Sequence, residues 1–266
     1  MDDLDLAACH RNHMAFWCES THWGVGGVVH EENGIVIWSV GGDSSPFLRG
    51  VWRLDQAVPA QQVIDAADAF FLPRGLGYFL RLRDAPDDKD LQEAAIASGL
   101  AGGEGTMPQM VIRDRVEEPP LQPGVEVRTV EDAAAVHDFA AVNGAAYSTY
   151  GMAPEMAHAL VARPDCFLAE PHVYAVIGYD GGVPVAAAMT FLSHGIAGVY
   201  WVGTVERARG RGLGAAVTRR VTNAGFDLGG RINSLQASVM GEPVYLKMGY
   251  ETVHPLRAYY REPPAG

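Results

Sequence analysis

Along residues 213–228 the apolar side chains Leu213, Val217, Val221, Ala224 and Leu228 recur at steps of three and four, with Arg219, Arg220, Thr222 and Asn223 on the other side. That is the period of an amphipathic helix, and Gly229-Gly230 stops it. The continuous apolar run 199–205 ahead of it reads as a buried strand. The remainder of this half parses in the same way. Residues 125–128 alternate as a strand, and 131–147 form a helix with Val136, Phe139, Ala140 and Asn143 on one face. A second short helix spans 154–161. Strands 172–179 and 183–192 flank the hairpin signal Asp180-Gly181-Gly182, and Ser193-His194-Gly195 turns the chain into strand 196–205. Strand 235–239, a short helix over 242–248 and a closing strand 251–260 complete the order.

The earlier residues carry a related pattern. Helix 59–72 has Val63, Ile64, Ala67, Phe70 and Phe71 on one face, and strand 77–83, helix 87–98 and strand 110–113 follow it. Gly99-Leu100 stands where Gly249-Tyr250 stands later. Helix, strand, helix, Gly-apolar and strand thus recur in one order, which suggests an internal duplication. The proline run Pro119-Pro120-Leu121-Gln122-Pro123-Gly124 blocks helix and central strand alike. It divides the chain into expected domains 1–120 and 121–266.

Between strand 196–205 and helix 213–228 lies Arg209-Gly210-Arg211-Gly212-Leu213-Gly214. Glycines free the backbone to bring N–H groups close to a ligand, and a helix start adds unpaired donors and a positive dipole end. An anion, phosphate above all, is the expected guest. The loop lacks the Lys-Ser/Thr of a nucleotide P-loop and the glycine spacing of a dinucleotide fingerprint. In its pattern Arg-x-x-Gly-x-Gly, carried by Arg209, Gly212 and Gly214, it resembles the GNAT superfamily of acetyltransferases. Val244-Tyr245-Leu246-Lys247-Met248-Gly249-Tyr250 is similar to a second motif of that family, Leu-Tyr-x-Lys-Leu-Gly-Phe. The resemblance covers about residues 123–260.

The resemblance implies an α/β protein of two GNAT-like domains, each a mixed, mostly antiparallel sheet flanked by helices, with splayed central strands in the second. It implies acetyl-CoA as cosubstrate, with pantetheine on main-chain groups of Val202, Gly203, Thr204 and Val205. The pyrophosphate then sits on the N–H groups of Gly210, Arg211, Gly212, Leu213, Gly214 and Ala215, with charge from Arg209 and Arg211. Tyr245 falls on the tyrosine that serves as general acid, and Ser238 is a candidate hydrogen bond to the cofactor. Tyr147, Tyr150 and Met152 fall where the family lines its acceptor pocket. No general base is identified: His194 lies in a turn, and Glu155 suits a helix start for dipole reasons alone. The first domain has no Arg-x-x-Gly-x-Gly between residues 43 and 59. Arg74-Gly75-Leu76-Gly77 follows a helix and precedes a strand, so it reads as a turn, and this copy is expected to be degenerate.

Composition narrows the partners. A net charge of -12 argues against nucleic acid and favours an amine as acceptor, either a small molecule or an exposed amino group. Cys9, Cys18 and Cys166 are odd in number and have no ligand-like spacing, so free thiols and no metal are expected. The acidic start Met1-Asp2-Asp3-Leu4-Asp5 is unlike a signal peptide, and no apolar run reaches the length of a membrane span, which together point to the cytoplasm. Lys89 and Lys247 are the only lysines, an arginine bias that suits a GC-rich bacterial source. The expected molecule is a monomer or homodimer that transfers an acetyl group to an amine, the alternative being a nonenzymatic acetyl-CoA sensor.

Overall fold

Two runs of strands and helices flank the proline-rich stretch. In the computed structural model, which describes residues 3–264 apart from 42–44 and 104–106, the first half contains α1 (Asp3–Trp23), β1 (Val28–Glu32), β2 (Ile35–Ser39), β3 (Arg49–Arg53), α2 (Ala60–Phe71), β4 (Tyr78–Arg83), α3 (Lys89–Ala97), β5 (Ala101–Gly102) and β6 (Met107–Ile112). The second contains β7 (Val125–Thr129), α4 (Ala133–Tyr147), α5 (Glu155–Leu160), α6 (Pro164–Ala169), β8 (Val173–Asp180), β9 (Val183–Ser193), β10 (Ile196–Thr204), α7 (Leu213–Asp227), β11 (Ile232–Gln236), α8 (Glu242–Lys247) and β12 (Glu251–Arg261). Met1 and Asp2 of the acidic start lie outside the described residues.

The halves do not close two separate sheets. All these strands belong to one sheet in the order β1-β2-β3-β4-β12-β6-β11-β10-β9-β8-β7, with β5 pairing off this path to β12. Each half gives its last strand to the other. β12 runs antiparallel to β4 from Leu256↔Arg83 to Arg261↔Tyr78, while β6 pairs with β11 from Asn233↔Ile112 to Gln236↔Gln109. The two exchanged strands also pair with each other. The exchange continues the sheet where two separate sheets would each present a bare edge to water. Residues 114–124, including the expected proline linker, hold no helix or strand. They lie along α7: Asn223 exchanges bonds with the Val116 backbone at 3.0 and 2.9 Å, and Arg220 pairs with Glu118 at 2.8 Å.

The expected elements of the second half are present, with one displacement. The strand expected over 235–239 is β11, which starts at Ile232 because Asn233 and Ser234, polar but fully buried, carry its parallel pairing to β10. Residues 238–241 instead turn into α8, with the Gly241 amide donating to the Ser238 carbonyl at 2.9 Å. Gly75, at φ 68°, makes the turn expected before β4. Strands β1, β2, β3 and β5 and the helices α6 and α1 escaped the pattern. α6 follows Arg163 with Pro164 at its first turn, and α1 buries Asn12, His13, Ser20 and Thr21 along with Phe16, Trp17 and Trp23. A helix enclosed on several sides shows no clean polar stripe.

α1 belongs to the first half but packs on β9 and β10 of the second. Its Asn12 amide donates to the carbonyls of Phe191 at 3.1 Å and Ile196 at 2.9 Å and to Ser193 Oγ at 3.0 Å, while its oxygen accepts from Tyr200 Oη at 2.7 Å. Phe16 stacks on Tyr200 with ring centroids 3.8 Å apart. α1 and α4 cover one face of the sheet and α7 the other: a Cβ on Gly198 would meet Asn12, one on Gly203 would meet Asn143, and one on Gly225 would meet Ala197.

Candidate functional site

The parity of β10 creates the site. Gly198 and Gly203 face the same side of the sheet although five residues separate them, which a regular strand with period two cannot do. The register against β9 shows why: Tyr200↔Met189 is followed by Gly203↔Ala187, so β10 holds one extra residue. That bulge puts Trp201 at φ 50°, a left-handed conformation rare for a bulky side chain and common where a fold stores strain at a working site. On the other edge, β10 pairs with β11 only over residues 196–198 and 232–234. Beyond Gly198 the two strands part. This is the expected splay, and it frees main-chain groups on one edge of β10.

The strand then leads through residues 205–212 into α7. Gly210 and Gly212 sit at φ 74° and 77°, so both need the left-handed freedom of glycine, and Gly212 caps the helix. Gly214 answers a different demand: a Cβ there would lie 2.9 Å from Thr204 Oγ1, so its absence lets α7 approach the end of β10. The first backbone ring of the helix closes from the Ala216 amide to the Gly212 carbonyl at 2.9 Å. The amides of Leu213, Gly214 and Ala215 therefore have no intrahelical acceptor. They point, with the positive end of the helix dipole, into a cleft of about 570 Å³.

Of the residues expected to hold a cofactor, Val202, Gly203, Thr204, Arg209, Gly210, Gly212, Leu213, Gly214, Ala215 and Ser238 line this cleft, and so does Tyr245. Lys247 joins them, and no Asp or Glu is among the lining residues, so the cleft is cationic in a chain of net charge -12. Two expected residues lie elsewhere. The Val205 amide donates to the Val185 carbonyl at 2.9 Å and its side chain is buried, so neither faces the cleft. The Arg211 guanidinium pairs with Asp180 at 2.5 Å and lines a separate groove beside Pro119 and Pro120. Arg209 also ties the loop to β10 and α4, because its Nε donates to the Thr204 carbonyl at 3.1 Å and its Nη2 to the Ala146 carbonyl at 3.4 Å.

Tyr245 forms part of a wall shared by two spaces. The second, of about 380 Å³, opens between α1, β4 and the parted ends of β10 and β11. Tyr147, Tyr150, Val202, Ser238 and Tyr245 line both. Burial, with a smaller contribution from Tyr150, pushes the Tyr245 hydroxyl above the ordinary phenol range, so it stays protonated at neutral pH. Among the described residues it has no hydrogen-bond partner. Ser238 lies just past β11, where its Oγ accepts from Tyr150 Oη at 3.0 Å and from the Gly241 amide at 3.1 Å. Tyr147, Tyr150 and Met152, expected near an acceptor, line the second space. His194 is in the β9–β10 turn at φ 53°, at the far end of β10 from the cleft. Glu155 starts α5 and lines neither space.

No sequence pattern pointed to the residues that the first half contributes: His13, Phe16, Trp17, Phe47, Arg81 and Met107 all line the second space. The chain has the GNAT fold. It is similar over 97% of its length to 96% of a GCN5-related N-acetyltransferase from Kribbella flavida, with a TM-score of 0.72 at 19% identity. A GCN5-related N-acetyltransferase from Sphaerobacter thermophilus matches 87% of this chain with 77% of its own at 14% identity and a TM-score of 0.59. A GCN5-related N-acetyltransferase-like protein from Streptococcus suis matches 96% with 99% of its own at 15% identity and a TM-score of 0.55. The likeness of this GNAT fold to the Kribbella protein spans both halves of the chain. No family model and no curated protein matches the sequence. No helix among the described residues is long and apolar enough to cross a membrane, and no group of His, Cys, Asp and Glu among them could hold a metal ion.

Proposed function

We propose that this protein transfers the acetyl group of acetyl-CoA to a primary amine by direct attack. The observation that carries this reading is the wall that the two spaces share: the glycine cradle lines the cationic cleft, the cleft runs along the parted end of β10, and Tyr245 lines both the cleft and the second cavity. In this reading the amides of residues 212–215 hold the pyrophosphate, and main-chain groups of Val202 and Gly203 on the bulged strand hold the pantetheine arm. The Thr204 carbonyl is already bonded to Arg209. The amine nitrogen attacks the thioester carbon, the C–N bond forms and the C–S bond breaks. Tyr245 gives its proton to the departing thiolate, and the amine loses a proton to water. Among the described residues no carboxylate side chain lines either space, which supports entry of the acceptor as free amine without a dedicated protein base. Residues 1–120 are a second copy of the unit in 121–266 that has lost its cradle. The repeated element order, the crossover of α2 between parallel β3 and β4 like that of α7 between β10 and β11, and the symmetric strand exchange support it.

Calorimetric titration with acetyl-CoA tests the site. Wild-type protein is expected to bind one equivalent per chain. Gly212→Val, which forces a β-branched side chain to φ 77° in the cradle, should abolish binding while the circular dichroism spectrum is kept. Unchanged affinity in a folded variant would refute the cradle assignment, and two equivalent sites would refute the loss of the first copy's cradle.

A further inference from the structure

The second cavity contains a charge that the fold leaves uncompensated. Arg81, on β4, is only 4% exposed. Its Nη2 donates to the Phe47 carbonyl at 2.8 Å, and its buried Nη1 has no partner. Aromatic rings surround the guanidinium: its carbon lies 5.0 Å from the Trp17 ring centre, 5.1 Å from those of Trp38 and Phe47, and 5.3 Å from that of Phe79. Such rings attract a cation but do not replace a counter-ion. Arg53 on the neighbouring strand, with a side chain as deeply buried, is paired with Asp88 and Asp90. The same fold therefore neutralises one buried arginine and leaves the other bare. Burial pulls Arg81 down to about 9, which still leaves it charged at neutral pH.

Two further residues lining the cavity carry unpartnered buried donors. Trp201 Nε1 has no acceptor. His13 Nε2 accepts from Trp17 Nε1 at 3.0 Å, so the ring proton sits on Nδ1, which is also unpartnered. Burial holds His13 well below its ordinary value and so neutral. All three groups offer hydrogen, and among the lining residues there is no Asp or Glu to receive it. An anion is the counter-charge that Arg81 lacks. The walls set its charge and its body: with one cation among Phe16, Trp17, Phe47, Tyr147, Tyr150 and Trp201, a dianionic phosphate would bring an uncompensated charge into an apolar space, whereas a planar monoanion matches the guanidinium fork.

We propose that the acceptor is an amino-carboxylate with an apolar or aromatic body, its carboxylate on Arg81 and its amine at the Tyr245 end of the cavity. The placement of the amine rests on the acetyltransferase reading. The placement of the carboxylate does not, because the first half builds that end. The first half is then a specificity element as well as a support.

Two measurements test this. The amine-free probes 3-phenylpropionate and indole-3-propionate should bind saturably in calorimetric titration, bind Arg81→Met at least about tenfold more weakly, and lose to the alcohol 3-phenylpropanol in that variant. Removal of an unpaired buried charge should leave the melting temperature unchanged or raised, and Arg81→Lys, which keeps the charge without the fork, serves as the second variant. In turnover, phenylalanine and tryptophan should exceed phenethylamine and tryptamine in kcat/KM by at least about tenfold in wild-type protein, mostly through KM, and this preference should vanish in Arg81→Met. Probes that fail to bind wild-type protein, or that bind wild type and variant alike, overturn the carboxylate site even if acetyl-CoA binds. Acetyl-CoA that fails to bind while the probes do overturns the acetyltransferase reading instead.

Discussion

In the proposed reaction Tyr245 is the proton donor, and its environment fixes how it should respond. Burial raises its pKa, so the phenol remains a proton donor through and beyond the range in which ordinary tyrosines ionise. The acceptor amine titrates the other way, becoming nucleophilic as it loses its proton. Turnover should therefore climb with pH until the amine is free, with no alkaline fall from Tyr245 below about pH 10. Tyr245→Phe removes one oxygen and keeps the ring that packs near Tyr250. Acetyl-CoA affinity should stay within a few-fold while turnover drops by about 10² or more. Steady-state kinetics beside calorimetry separate these two effects, and wild-type turnover in the variant would reduce the phenol to a packing role.

Among the elements, α1 links the halves, and Asn12 is the fastening point. Its side chain satisfies groups on Phe191, Ser193, Ile196 and Tyr200, and the residue is 1% exposed, so a substitution leaves these groups buried without their partner. Leaving buried polar groups unpaired costs about 1–3 kcal/mol each. Asn12→Ala is therefore expected to lower unfolding stability by about 2–4 kcal/mol, measured by urea denaturation. The β9–β10 hairpin held by this contact carries the bulge at Trp201. The variant should accordingly bind acetyl-CoA less tightly although Asn12 does not line the cleft. A stability within about 0.5 kcal/mol of wild type, on the scale of an ordinary surface change, would mean that α1 merely rests on the hairpin.

For the whole molecule the exchange of β6 and β12 decides which pieces can exist alone. A chain starting at Leu121 would strip β6 from β11 and both β4 and β6 from β12, and would remove α1 from the face above Tyr200. Such a fragment exposes unpaired strand edges and a large apolar face. It should aggregate or run as a molten species on size exclusion with no near-ultraviolet signal from fixed aromatic rings. A folded, monomeric, acetyl-CoA-binding fragment would show that the second half needs nothing from the first.

The sequence by itself determined what lies within about twenty residues of chain. The period of α7, the two turns around β8–β9–β10, the glycine cradle and the Tyr245 helix could all be read because backbone preference and side-chain period act locally. Tertiary structure decided the rest. β4 alternates Tyr78, Leu80 and Leu82 with Phe79, Arg81 and Arg83, a pattern whose charged face reads as solvent-exposed, yet Trp17 of α1 and Phe47 cover Arg81 and bury its charge. Asn233 and Ser234 hid the start of β11 because polar residues in a strand read as a break until a neighbouring strand buries them. Val205 and Arg211 fit the motif but are claimed by Val185 and Asp180, partners that lie twenty to thirty-one residues away. Which strand pairs with which, and therefore where the second cavity opens, depends on contacts between distant segments whose hydrophobic patterns permit several pairings. Closing one continuous core selects among them.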